Sequence, residues 1–311
     1  MDKVSIITTF FNAEQFLLTA VNSVNLQQTF NQVKIEYILI NDKSTDNSLK
    51  ILIDFLDKNA NKDIDFKIIE TEENLGCGGA RAFGISKASG NYFMFLDADD
   101  YYINTDFVFR AYTEIKKTRA DIIEYGIIFN QLNGNTINNV SPQRIEITNP
   151  IVAELSLFKD NLIKFNVWSK IYKRSIVESY PYSTSRTFED VRTIPYWIEN
   201  AKKIIIMPSL EINYRAASQS IIRSDNINTR VGTITAISEL FEHFKNYPII
   251  LKAMYRRSMV DLEEVLHNHS SKDPGYNEMS KLNRNMLKYL YPNSYKNITY
   301  LEGEKIEKNE G

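Results

Sequence analysis

Cysteine is nearly absent from this chain. Cys77 is alone among 311 residues, so no internal disulfide can form, and a reducing compartment is expected. Histidine is scarce too: His243, His267 and His269 all fall in the C-terminal part, and none is expected to hold a metal. No segment offers the roughly 18 uninterrupted apolar residues that a membrane span needs. The opening "MDKVSIITTFFNAEQF" lacks the apolar core and cleavage site of a signal peptide. A soluble, cytoplasmic protein is therefore expected, with any membrane contact peripheral. Charge of one sign is not in excess either, since 37 Lys plus Arg against 39 Asp plus Glu leave a net charge of −2. That balance argues against a dedicated nucleic-acid binder, whose affinity needs a concentrated basic surface. Internal repeats and low-complexity tracts are missing as well.

What is present reads as alternating strands and helices. Val4 to Phe10 is a β-branched run, and helical spacing follows through Phe16, Leu17, Ala20, Val21 and Val24. Val33 to Ile40 reads as a second strand, with a helix after the polar turn "NDKSTDNS". Phe66 to Ile69 reads as a third strand, Ala80 to Ala88 as a helix beyond a glycine-rich turn, and Tyr92 to Leu96 as a fourth strand. Such repetition predicts a mostly parallel sheet with helices on both faces, an α/β class in which ligands bind beyond the carboxyl ends of the strands. Asn12, Asp42, Asn74 and Asp97 all fall at such ends. Further on, Ile122 to Phe129 reads as a strand and Pro150 to Asp160 as a helix. From about Ile227 the pattern turns helical, with Leu240, Phe241, Phe244, Ile249, Leu251 and Met254 expected to line helix faces. The division expected is a domain over 1–226, with a nucleotide-binding half to about 100 and an acceptor half beyond, and a helical extension over 227–311.

Several short stretches bear chemistry. "FLDADD" runs an apolar strand into Asp97, Asp99 and Asp100. A capping turn is the plain reading, and a divalent-metal site is the functional one, since Mg²⁺ and Mn²⁺ prefer oxygen ligands. "NLGCGGARAFGI" is a glycine-rich helix start; Arg81 stands where a dinucleotide fingerprint needs its third glycine, and suits a nucleotide's base or diphosphate instead. "TFED" could cap a helix whose first turn holds Glu189 and Asp190, or could supply Asp190 as a general base.

Taken in order, these stretches resemble family-2 glycosyltransferases with the GT-A fold, of the bacterial type that builds capsule, lipopolysaccharide or related surface glycans. The resemblance runs from "VSIITTFFNAEQF" through "ILINDKSTDNS", "ENLGCGGARAFGI", "FLDADD", "VWSKIYKRSI" and "FEDV" to "INYRAASQSI", roughly residues 4 to 222. It implies a nucleotide site built from Thr9, Phe11, Asp42, Asn74, Gly76, Arg81, Asp97, Ala98, Asp99 and Arg215, with Asp42 on uracil and Arg215 near the diphosphate. Asp99, with Asp97, would hold Mn²⁺ or Mg²⁺. Asp190 would be the base with Glu189 beside it, and Trp168 and Lys170 would face the acceptor. The donor implied is a nucleotide-sugar, preferably a UDP-sugar, and the acceptor a hydroxyl of a glycan or lipid-linked oligosaccharide. Thr9 replaces the family's usual Pro, Phe11 its Tyr, Lys43 a Gly, Ala82 an Asn and Ser169 an Asn, yet no acid that the chemistry needs is lost.

A sugar nucleotidyltransferase on a related fold is the first competitor, but "TTFFNAEQF" lacks the glycine-rich basic loop it would need. A non-catalytic nucleotide- or glycan-binding module is the second, and would need a broken acid set. Tyr255, Arg256 and Arg257 sit beside Ile249, Ile250, Leu251 and Met254. That segment is either a solvated helix side or a surface for peripheral membrane or lipid-linked acceptor contact. A homodimer is an open expectation.

Overall fold

A computed structural model of the chain describes residues 1–130, 134–215, 227–268 and 274–290. The chain divides into two compact units, Met1–Arg223 and Ser224–Gly311.

The first unit opens with β1 (Lys3–Phe10), α1 (Leu17–Asn25), β2 (Lys34–Asn41), α2 (Ser48–Asn59), β3 (Ile64–Glu70), α3 (Gly76–Lys87) and β4 (Tyr92–Phe95). It continues with β5 (Tyr101–Tyr102), α4 (Phe107–Thr118), β6 (Ile122–Asn130), β7 (Thr136–Asn139), β8 (Ile145–Ile147), α5 (Pro150–Phe158), β9 (Lys170–Lys173), α6 (Arg174–Val177), α7 (Ile194–Asn200) and β10 (Ile204–Tyr214). The ten strands form one sheet in the order β3-β2-β1-β4-β9-β6-β10-β5, with β7 on β6 and β8 on β10. Ladders from β3 to β4 are parallel, as is β6 with β10, while β9 runs antiparallel between β4 and β6.

The apolar runs of β1 and β2 explain their central place. Val4, Ile6, Ile7, Tyr37, Ile38, Leu39 and Ile40 are all buried, because helices cover both faces of a parallel sheet. α1 buries Leu17, Ala20, Val21 and Val24, the face its periodicity predicts. Register then aligns the functional rim. Phe10 pairs with Asn41 and Ile7 with Phe95, so β1, β2 and β4 all release their chains at one edge of the sheet.

Two boundaries differ from the sequence reading, and both bear on the site. α3 starts at Gly76, so the glycines form its first turn instead of a free loop before it. Gly78 is needed there, because an added Cβ would stand 2.3 Å from the Ser185 carbonyl and 2.5 Å from that of Ser183. Glu189 and Asp190 do not occupy the first turn of a helix. They lie in the turns ahead of α7, where the Asp190 carbonyl accepts the Ile194 N–H at 2.8 Å.

In the second unit, α8 (Ile227–His243), α9 (Pro248–Asn268) and α10 (Pro274–Leu290) pack on one another. Phe241, Phe244, Leu251, Met254 and Met286 are buried, and the Tyr255 hydroxyl bonds the Asn283 carboxamide oxygen at 3.0 Å. Ile249 is 56% exposed; α9 begins at Pro248 and turns Ile250, Leu251 and Met254 inward. No helix among the described residues is long and apolar enough to cross a membrane. Ala216 to Ile221 of "INYRAASQSI", the His267 side chain, His269 and the charged tail lie outside the described residues.

Candidate active site

The loops after β1 and β2 are latched together. Asn12, whose φ of 50° suits asparagine, accepts the Thr45 N–H on its side-chain oxygen at 2.7 Å, and its own N–H donates to Ser44 Oγ at 3.1 Å. Glu14 accepts the Asn47 N–H at 2.9 Å. Beside this latch, Thr9 is half-buried at the end of β1 and Phe11 is 49% exposed.

Asp42 is turned inward. Its carboxylate accepts the N–H groups of Leu75 at 2.8 Å and Gly76 at 2.9 Å, and the Thr71 hydroxyl at 3.2 Å. Its carbonyl accepts from the Asn74 amide at 3.0 Å. An anion thus caps the positive end of α3. Asn74 is held in turn by Arg186, which donates to its side-chain oxygen at 2.8 Å and its carbonyl at 2.7 Å.

One turn into α3, Arg81 is nearly buried. Its guanidinium donates to Asp97 Oδ1 at 2.5 Å, to the Tyr182 hydroxyl at 3.2 Å, and to Glu189 Oε1. Burial opposes the charge, but the facing carboxylates keep Arg81 firmly protonated. This one side chain joins the strand-end acids to the "FED" turn.

Carboxylate oxygens of Asp97, Asp99 and Asp100 lie within 4.8 Å of one another. Burial, then the Asp97 charge, pushes the Asp99 carboxyl up to about 6, and the same influences push Asp100 well above its ordinary value. Asp100 Oδ1 accepts the Arg215 N–H at 2.9 Å, whereas its buried Oδ2 has no hydrogen-bond partner among the described residues. An all-oxygen cluster with an unsatisfied buried carboxylate atom suits a hard divalent cation, which would relieve both the repulsion and the missing partner. Ala98 lies half-buried between the acids, and the Arg215 guanidinium stacks over the rings of Phe16 and Tyr101 at 5.4 and 5.3 Å.

Asp190 is half-buried, and its Oδ1 accepts its neighbour Val191's N–H at 2.7 Å. Burial, then the Glu189 charge, pushes its carboxyl up to about 7, against the pull of Arg81. A carboxylate with that proton affinity is a competent base near neutral pH. Burial pushes the neighbouring Cys77 thiol up, which leaves it un-ionised and a poor nucleophile.

Trp168 stacks on Tyr214 (centroids 5.4 Å, 13° between planes), and Tyr214 on Phe129 (4.7 Å, 18°), near the ends of β10 and β6. The expected acceptor contact of Lys170 is not supported. Its side chain is wholly buried, with the ammonium 3.5 Å from Glu124 and donating to the carbonyls of Lys164 and Asn166 at 2.8 and 2.6 Å. Lys170 holds the loop before β9 and reaches no surface. Tyr182 and Arg186 went unnoticed in the sequence, because an isolated aromatic or arginine in a polar stretch has no local signature. Asp100 had one, as the third acid of "DADD".

The model of the family described as "Glycosyl transferase family 2" matches residues 5–180. Glycosyltransferase GlyA of Streptococcus pneumoniae serotype 4 is 25% identical over 273 residues, covering 84% of this chain and 38% of GlyA. The poly(ribitol-phosphate) beta-glucosyltransferase of Bacillus spizizenii is 29% identical over 218 residues, covering 68% of this chain and 32% of that enzyme. The chain thus spans well under half the length of these two relatives. Among solved structures, S. aureus TarS in complex with UDP superposes with a TM-score of 0.56 at 17% identity, over 98% of this chain and 94% of that one. At that identity the likeness is one of fold.

Proposed function

The chain belongs to glycosyl transferase family 2 and has its GT-A fold, and on that premise we propose that it moves a sugar from a UDP-sugar to a hydroxyl of a surface glycan or lipid-linked acceptor, with inversion. The observation that bears most weight is the Arg81 bridge. It joins the Asp97–Asp99–Asp100 turn, with its metal-type chemistry, to the turn of Asp190, the group best suited to act as base.

In this reading Asp190 takes the proton of the acceptor hydroxyl as its oxygen bonds the anomeric carbon. The bond from that carbon to the diphosphate oxygen breaks with its electron pair, and UDP leaves. Attack and departure on opposite faces invert the anomeric centre. Asp97, Asp99 and Asp100 would hold Mn²⁺ or Mg²⁺, which when bound supplies Lewis-acid neutralisation of the leaving diphosphate. The Arg215 guanidinium, over the Phe16 and Tyr101 rings and close enough for its charge to act on Asp99 and Asp100, would add positive charge beside the acidic turn. Support for the uridine nucleotide comes from the UDP in the TarS structure and from the family resemblance of the Asp42 turn. The name of one relative favours a poly(polyol-phosphate) acceptor, and the Trp168–Tyr214 stack suits packing against a sugar ring.

The division into a glycosyltransferase domain over 1–226 and a helical extension over 227–311 forms part of this proposal. Thermal-shift titration with UDP and UDP-sugars, each with and without Mn²⁺, tests it. Stabilisation by UDP that requires metal is expected; no shift with any nucleotide under any metal would sink the reading.

A further inference from the structure

The family resemblance makes Arg81 a ligand of the donor nucleotide, yet the residue is 6% exposed and its guanidinium is already engaged by Asp97, Glu189 and Tyr182. We propose that Arg81 and Glu189 are positioning residues: Arg81 clamps the Glu189–Asp190 turn against the acidic turn at Asp97, and their buried ion pair places Asp190 against a fixed set of charges. This inference rests on the proposed function for the choice of Asp190 as base.

The clamp is built into stiff surroundings. Tyr182, which accepts from Arg81, packs on Phe95 (6.2 Å, 23°) and Trp197 (5.7 Å), both wholly buried. The turn is cinched at its base, where Thr193 Oγ1 donates to the Glu189 carbonyl at 2.7 Å and accepts the Ser183 N–H at 3.0 Å. Gly78 lets α3 lie directly on the carbonyls of Ser183 and Ser185. Little freedom is left between Arg81 and the turn.

Burial and charge then give the two carboxylates different tasks. Glu189 is 7% exposed, and its carboxylate is paired with a cation. Arg81 is that cation. Charged and titratable groups facing Asp190 are Glu189 and Asp97, which raise its proton affinity, and Arg81, which lowers it. Lys170, Tyr172 and Tyr182 complete the set, the Lys170 ammonium being held by Glu124 and carbonyls. Glu189 is adjacent and leads Asp97 among the raising charges.

The experiment follows the Asp190 carboxyl by ¹³C NMR in the full chain without substrate, assigned by its disappearance in Asp190→Asn. In Glu189→Gln, which removes the charge and keeps the shape, the Asp190 midpoint is expected to fall by about one pH unit or more. Glu189→Ala deletes the same charge and replaces it if Glu189→Gln does not fold. A midpoint that stays put or rises overturns the assignment. In parallel, Arg81→Gln removes the positive charge that faces Asp190 and is expected to raise the same midpoint; a midpoint that stays put or falls overturns the role of Arg81. Failure of the wild type to bind UDP would count against the proposed function, while the titration still decides the role of the ion pair.

Discussion

The carboxylate of Asp42, at the end of β2, accepts the backbone N–H of Gly76 at 2.9 Å and so fixes where α3 begins. It accepts the Leu75 N–H as well, and neither residue nor the flanking loop offers α3 a local side-chain cap. Asp42→Ala strips both donors of their partner. It is expected to cost about 1–2 kcal/mol in urea unfolding. Asp42→Asn, which keeps one acceptor but loses the charge at the helix end, should cost less.

Asp190 yields a prediction in the pH profile. Its carboxyl, raised to about 7, works as a base only when ionised, so kcat/KM should climb as pH rises through about 7 and level off above it. Asp190→Asn should lower kcat by about 10²–10⁴-fold. UDP affinity should be nearly unchanged, because the residue touches the acceptor side of the reaction. Equal loss of UDP binding would contradict that division.

Much of this site could be read before the fold was known, and the parts that could not share a cause. Strand-end acids announce themselves, because an apolar run that stops at Asp97, Ala98 and Asp99 breaks pattern within a few residues. Asp42 and Arg81 were legible as polar residues at a strand end and a helix start. Their partners were not: the Arg81 contacts to Tyr182 and Glu189 span 101 and 108 residues, and no periodicity encodes that. The acceptor role that the resemblance implies for Lys170 meets a related limit, because the fold surrounds its ammonium with Glu124 and loop carbonyls. The start of α3 is hidden in the sequence because glycine is a poor helix former, and capping by Asp42 from another strand overrides that local preference.

Removing the metal or its main ligand should act on the donor and not on the fold. Asp99 repels Asp97 across the turn, so Asp99→Ala relieves charge in the free protein and is expected to leave its melting temperature equal or higher. Stabilisation by UDP with Mn²⁺ should vanish in this variant, and chelator should abolish it in wild type. UDP stabilisation that survives both treatments would remove the metal from donor binding.

Lys170 and Glu124 form a buried ion pair with exposures of 0% and 3%. Lys170→Met leaves Glu124 buried without its cation, though the Lys164 N–H still donates to it at 3.0 Å. Loss of about 3–5 kcal/mol in denaturant unfolding is expected, the cost of breaking one side of such a pair. Lys170→Met with Glu124→Gln should recover part of that loss. A stable single variant with weakened acceptor binding would return Lys170 to the acceptor site.

Glu36 offers the clearest link between pH and stability. Burial alone would raise its carboxyl, but the Lys67 ammonium at 2.7 Å, the Ser5 hydroxyl at 2.5 Å and the N–H and hydroxyl of Ser89 outweigh it and bring the group down to about 2. A carboxyl depressed in the folded state stabilises above its unfolded value of 4.5, and that contribution drains away as pH falls toward 2. The depression corresponds to about 3 kcal/mol, reduced to about 2–3 by solvent around the one-third-exposed Lys67. Glu36→Gln should therefore lower unfolding free energy by about 2–3 kcal/mol at pH 7. Below pH 4.5 the gap to wild type should narrow steadily, because protonation erases in the wild type what the substitution has already removed. Parallel curves over that range would show that Glu36 stabilises through shape and hydrogen bonding and not through its charge.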